Sequence, residues 1–306
     1  MDRLQKTLAA LRALGDDHQS GASEIADRAA MLLEDFCRTQ RPRDPRLPYA
    51  LSALAEAALE AHPAMAPLLN LANHIQLAAE ADGRALPRLR GAVADFRRQR
   101  REAAPAIARQ FARHVRRGAA VLTYSYSSTV LAALAAARTR LARVIVSEGR
   151  PGCEGRVVAE RLASLRIPVT LVIDAALPEQ LKAADCVVVG ADAVLANTYV
   201  NKIGTRLLQE QARARRKPFL VLADTSKFLP APLAAWQRLE DQPARELWRE
   251  APARVQVLNP VFELIPLDPR VTLLTERGRW TPSQVRAYLR RQPVARRWQT
   301  NGKSPR

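Results

Sequence analysis

The chain reads as an α/β protein: a helical N-terminal domain over residues 1–117, a doubly wound parallel-sheet domain over 118–290 and a basic tail over 291–306. Three observations predict it. Up to about residue 117, apolar residues recur three and four apart, the spacing of one helical face. From Gly118 onward, short β-rich runs alternate with helical patterns, their starts roughly 17 to 33 residues apart, which is the rhythm of βαβ units. The residues that follow those runs are also unusually polar, as expected at the carboxyl rim of an open α/β sheet, where ligands bind.

In the N-terminal part, helical patterns run over 4–14, 25–36, 51–59 and 68–79. Breaks fall at Gly15-Asp-Asp, the proline-rich stretch 41–48, His62-Pro63 and 81–87. Strands are expected at 120–124, 144–146, 169–173, 186–189 and 219–222, with helices between them. The run Asp185-Cys-Val-Val-Val reads as a buried parallel strand that Gly190-Ala-Asp192 ends. A helix is expected to begin near Asn201, so that its free N–H groups and Lys202 face one anion. Residues 255–267 and 271–274 read as edge elements, 230–252 as a connection with short helices, and 292–306 as a frayed end.

At 306 residues with a 48% hydrophobic share, the chain can bury a sizeable core. No run of about 18 uncharged apolar residues occurs and the start lacks the apolar stretch of a signal peptide, so a cytoplasmic protein with no membrane partner is expected. Three cysteines and four histidines, without paired ligand spacing, imply neither a disulfide framework nor a metal, and no cofactor is indicated. The formal charge of +18 points to anionic partners. Basic clusters at Phe96-Arg-Arg-Gln-Arg-Arg101, Arg213-Ala-Arg-Arg-Lys217 and 286–306 carry few interleaved aromatics, so they read as solvated helical faces ahead of a nucleic-acid surface.

The strand ends supply the candidate chemistry. After the first come Tyr124, Ser125, Tyr126, Ser127, Ser128 and Thr129, hydroxyl donors running into a helix start that can cradle a phosphate. Ser147-Glu-Gly-Arg-Pro151 and Gly152-Cys-Glu-Gly-Arg156 follow the second strand, where Arg150 offers a fork for phosphate. Asp174, Asp192 and Asp224-Thr-Ser-Lys227 close the third, fourth and fifth. Bland readings compete: the tyrosines as wall packing, the serines as caps, Cys153 as filler, Lys227 as a solvated loop charge. The joint clustering favours a phosphorylated sugar or nucleotide as guest.

The order of motifs resembles the alpha, beta and delta subunits of translation initiation factor 2B and their relatives ribose-1,5-bisphosphate isomerase and methylthioribose-1-phosphate isomerase. Ser20-Gly-Ala-Ser-Glu-Ile25, Asn70 to Asn73, Leu122-Thr-Tyr-Ser-Tyr-Ser-Ser128, Ser147-Glu-Gly-Arg-Pro151 with Glu154-Gly155, Gly190-Ala-Asp192 and Asn201-Lys-Ile-Gly-Thr205 carry it. The resemblance implies a Rossmann-like second domain, a homodimer and a phosphosugar site between the domains. By motif, Gly21, Ala22 and Ser23 bind phosphate, Asp192 is the catalytic carboxylate, Asn201 and Lys202 hold substrate, and Arg150 positions the anion. One position departs: the isomerases' catalytic cysteine corresponds to Ser125, and an alkyl hydroxyl is far too weak an acid without a strong partner. Three readings follow: a phosphopentose aldose–ketose isomerase with Asp192 as base and Tyr124, Tyr126 or Cys153 as acid; a non-catalytic ligand sensor; and a translation- or RNA-associated protein.

Overall fold

The computed structural model describes residues 3–17, 20–41, 44–81 and 83–299. Helices α1 (Arg3–Ala13), α2 (Ala22–Thr39), α3 (Leu47–Ala61), α4 (Ala66–Ala79) and α5 (Ala85–His114) form the N-terminal half. Pro48 and Pro67 open α3 and α4 in the first turn, where a missing N–H costs nothing. Leu33, Leu51, Leu68 and Ile75 are fully buried where the apolar stripes of these helices meet.

The α5 helix is 30 residues long and belongs to two cores. Its first half packs Val93 and Phe96 among the N-terminal helices, whereas Ile107, Ala108 and Phe111 pack against the sheet. Between them Arg100 is 8% exposed and bonds to Asp27 on α2 (2.6 Å) and to Ser226 beyond the sheet (3.2 Å). The two halves are thereby braced through one rigid element.

The second half alternates as the spacing predicts: β1 (Ala119–Thr123), α6 (Ser128–Ala136), β2 (Leu141–Ser147), α7 (Glu154–Ser164), β3 (Val169–Val172), α8 (Leu177–Gln180) and β4 (Cys186–Val189). A small antiparallel pair, β5 (Ala193–Val194) and β6 (Thr198–Lys202), precedes α9 (Thr205–Ala214), β7 (Phe219–Leu222) and α10 (Ala231–Ala234). The chain ends with β8 (Phe262–Pro266), β9 (Val271–Thr275), β10 (Gly278–Trp280), α11 (Pro282–Leu289) and α12 (Arg296–Gln299). The main sheet runs β10-β9-β7-β4-β1-β2-β3, parallel except for β10, and β5-β6-β8 form a separate sheet. All four residues of β4 are buried, as an apolar run between two parallel neighbours requires.

Three expectations are corrected. Asn201 and Lys202 end a strand, because Thr198–Lys202 pairs with both β5 and β8; the helix opens only at Thr205, after Gly204 turns the chain at φ +96°. Of the two late apolar stretches, the first supplies β8 to the small sheet, and the second lies inside the main sheet between β7 and β10. The expected frayed end packs as far as Gln299: Ala295 and Trp298 are buried in the N-terminal core, and Asn73 of α4 bonds Pro293 O and Ala295 N at 2.9 Å each. Residues 300–306 lie outside the described residues.

Candidate phosphate-binding cleft

Strand β1 has β2 on one side and β4 on the other, so the chain winds outward in opposite directions from there and leaves a crevice beyond the carboxyl ends of β1 and β4. Two helix starts meet in it. At α2, Gly21 is an extended N-cap without a side-chain cap, and the amides of Ala22 and Ser23 have no acceptor within the helix. At α6, Ser127 caps by accepting from Val130 N at 3.3 Å, while the Ser128 amide stays free of the helix ladder. Gly190 lets the end of β4 approach the α6 start closely: a Cβ there would lie 2.6 Å from Ser127 Oγ.

These starts, with Gly190, Ala191, Asp192, Asn201 and Lys227, enclose a tight space of about 10 Å³. Lys227, a strand-end candidate whose competing reading is a solvated loop charge, is buried at 4% exposure. The N-terminal half holds its loop, since Asn70 of α4 donates to Ser226 O (2.7 Å) and Phe228 O (3.0 Å), and Arg100 reaches Ser226 Oγ. Burial pulls the Lys227 ammonium down, against the fields of Asp224 and Asp192. Asp224 meets the same burial, yet Arg100, Lys227 and the bonds from Ser226 hold it below the usual carboxylate range. Asp192 is pushed up by burial, with Lys227 and Lys202 opposing and Glu154 adding to the shift. Neither carboxylate forms an ion pair with Lys227, whose charge is left to act on the space it lines.

Asp192 is also in the wall of a larger cavity of about 110 Å³, together with Ser125, Tyr126, Glu154 and Lys202. The N-terminal half adds Asp17, Ser20, Gly21, Ala22, His62 and Met65, and the return segment adds Gln242, Glu246, Val261 and Phe262. Ser125 turns into it at φ 65°, an uncommon angle for serine, and donates from Oγ to Glu154 Oε1 at 2.9 Å. The same oxygen takes Lys202 Nζ at 3.0 Å, so half-buried Ser125 and Glu154 and buried Lys202 form one chain in the wall that holds Asp192. Asn201 is buried beside it, donating from Nδ2 to Thr205 Oγ1 at 3.0 Å.

The candidate acids fare differently. Tyr124 donates its hydroxyl to Ile203 O at 2.6 Å, and burial raises its pKa, with the fields of Asp174, Glu154 and Glu263 adding to the shift. Tyr126 lines both spaces but donates to Glu24 at 2.6 Å, and burial and that carboxylate push it up to about 12. Cys153 turns its thiol to Pro151 O at 3.7 Å, away from the cavity lining. Arg150 is exposed and outside that lining; only its amide is engaged, donating to Asp174 at 2.7 Å. Glu154 and Lys227 are among the site residues given no assigned role by the sequence, as are Asp17, His62, Gln242 and Glu246 of the cavity wall. For Glu154 and Lys227, positions directly after a strand end or at a helix start were the available signal.

The model of the initiation factor 2 subunit family matches residues 18–282. The chain belongs to this family. Its relatives include the ribose 1,5-bisphosphate isomerase of Archaeoglobus fulgidus, 31% identical over 298 residues, covering 94% of this chain and 92% of that one. The solved structure of translation initiation factor eIF-2B from Pyrococcus horikoshii superposes with a TM-score of 0.78 at 28% identity, over 91% of this chain and 98% of that one. A 5-methylthioribose 1-phosphate isomerase from the same organism shares the fold at a TM-score of 0.66 and 20% identity, over 92% of this chain and 87% of that one. Named enzymes and named initiation-factor subunits thus stand side by side around this member of the family.

Proposed function

We propose that this chain binds a phosphorylated pentose in the cleft and interconverts its aldose and ketose forms. The observation that carries the reading is the cradle: two helix starts and a buried, unpaired lysine at one end, a carboxylate shifted upward by burial beside them. A relative named as an isomerase of a phosphorylated pentose supports the same chemistry.

In this mechanism, which acts on an open-chain pentose 5-phosphate with a free C1 aldehyde, Asp192 takes the proton from C2, the released pair forms the C1–C2 double bond of an enediol, and the C1 oxygen gains a proton. Asp192 then returns its proton to C1 while the C2 hydroxyl gives up its own and becomes the ketone. Ser125 moves the oxygen proton between the two centres by donating and accepting at once, so its hydroxyl never needs to ionise. For this relay the hydroxyl proton turns from Glu154 Oε1 to the substrate oxygen, while Lys202 keeps Glu154 in place. A carboxylate raised by burial suits the base, because proton transfer is most effective when the base is matched to working pH.

A second reading, a ligand sensor without turnover, is favoured by the commitment of both tyrosines to other acceptors. Proton NMR of pentose mono- and bisphosphates with the purified protein separates the two. Isomerisation that falls at least a thousandfold in Asp192→Asn supports the enzyme; undiminished turnover in that variant removes Asp192 from the role. Binding with no product selects the sensor.

A further inference from the structure

We infer that the cleft is built for a sugar carrying a single phosphate and an uncharged or cationic far end, and that it discriminates against bisphosphates. This rests on the proposed phosphosugar site and names the class of ligand it takes.

The two ends of the cleft differ in charge. At the cradle, amide donors and Lys227 face the incoming group. Beyond Asp192 the cavity wall carries Glu246, together with Asp17, which pairs with Arg28, and Glu154. Its one lysine, Lys202, is already paired with Glu154 at 3.0 Å, and His62 bonds Leu14 O at 2.7 Å. The void continues into a second one of about 470 Å³ that shares His62, Gln242 and Phe262. That space adds Glu60, Glu240 and Asp241 against Arg238, which lies 3.7 Å from Glu240. A phosphate monoester carries close to two negative charges at neutral pH, so a second one at this end meets several carboxylates and no uncommitted cation among the described lining residues. Arg150, a natural partner for such a group, is outside. Met65, Val261 and Phe262 provide apolar wall at the same end, which suits a neutral substituent.

Calorimetric titration of the full chain with ribose 1-phosphate, ribose 5-phosphate and ribose 1,5-bisphosphate tests this, with Lys227→Met and the exposed-residue pair Glu246→Gln/Asp241→Asn as variants. The expected result is at least tenfold tighter binding of one monophosphate than of the bisphosphate, lost in Lys227→Met, with the gap narrowed severalfold in the charge-neutralised pair. Equal or tighter binding of the bisphosphate, still dependent on Lys227, overturns this inference and leaves the phosphosugar site standing. A preference unchanged by the charge-neutralised pair overturns its electrostatic cause. Absence of binding by all three overturns the inference together with the site.

Discussion

Asp192 and Asp224 both act on Lys227 and are shifted in opposite directions, which makes them separable by pH. A carboxyl whose pKa is raised on folding stabilises most below its unfolded value, near 3.9, and that contribution is lost as pH rises through the folded value. Asp192 is of this kind. Asp224 is the reverse: its contribution is present above the unfolded value and lost as pH falls through the folded one. At pH 7, Asp192→Asn should therefore gain stability on the order of 1 kcal/mol, while Asp224→Asn, which weakens the bonds from Ser226 and removes the attraction of Arg100 and Lys227, should lose about 3 kcal/mol. Urea denaturation at pH 7 and pH 4 measures both; opposite signs, with the gap shrinking at the lower pH, are expected. Sequence made Asp192 legible because it ends a strand after Gly-Ala. Lys227 was not, because its burial comes from Asn70 and Arg100, more than 100 residues away in sequence.

At the scale of elements, the site depends on how closely β4 approaches the start of α6. Gly190→Ala places a methyl 2.6 Å from Ser127 Oγ and 2.8 Å from its Cβ, so the cap and the turn must separate. Overpacking of this kind costs about 1–3 kcal/mol and should abolish phosphate binding; differential scanning fluorimetry with and without ligand reads both effects. An unchanged ligand-induced shift would show that the cradle is not formed by these two elements. The alternation of strands and helices was readable from spacing alone, and so was the switch at Gly118. The register of residues 198–205 was not: Thr198-Tyr-Val-Asn-Lys fits a strand only once β5 and β8 flank it. Likewise, nothing local in the end of the chain says that Trp298 finds a pocket among the N-terminal helices.

For the whole molecule, part of the basic charge is paired within the described structure, and the net excess of +18 remains. Arg97 pairs with Glu34, Arg98 with Asp95, Arg100 with Asp27, and Arg213 with Asp268, so the clusters at 96–101 and 213–217 are partly neutralised where they stand. No described helix is long and apolar enough to cross a membrane. An apolar face is left on the second half instead. Leu207 of α9 is 53% exposed and Leu264 of β8 is 50% exposed on adjoining elements, and Trp248 and Leu258 are open on the segment that leads there. We propose that a second copy of the chain covers this face. Light scattering of the wild type should give twice the chain mass of 33.8 kDa, and Leu264→Glu should give the single mass; a monomeric wild type would contradict the proposal.

The central claim is that a phosphate enters between α2, α6 and Lys227. Its most direct test is titration of the wild type and Lys227→Met with ribose 5-phosphate, followed by the amide signals of Ala22, Ser23 and Ser128 in NMR. The account predicts saturable shifts at all three amides in the wild type, with affinity at least tenfold weaker in the variant while its spectrum remains that of the folded protein. Saturation that leaves those amides unmoved, or equal affinity in the two proteins, would contradict it.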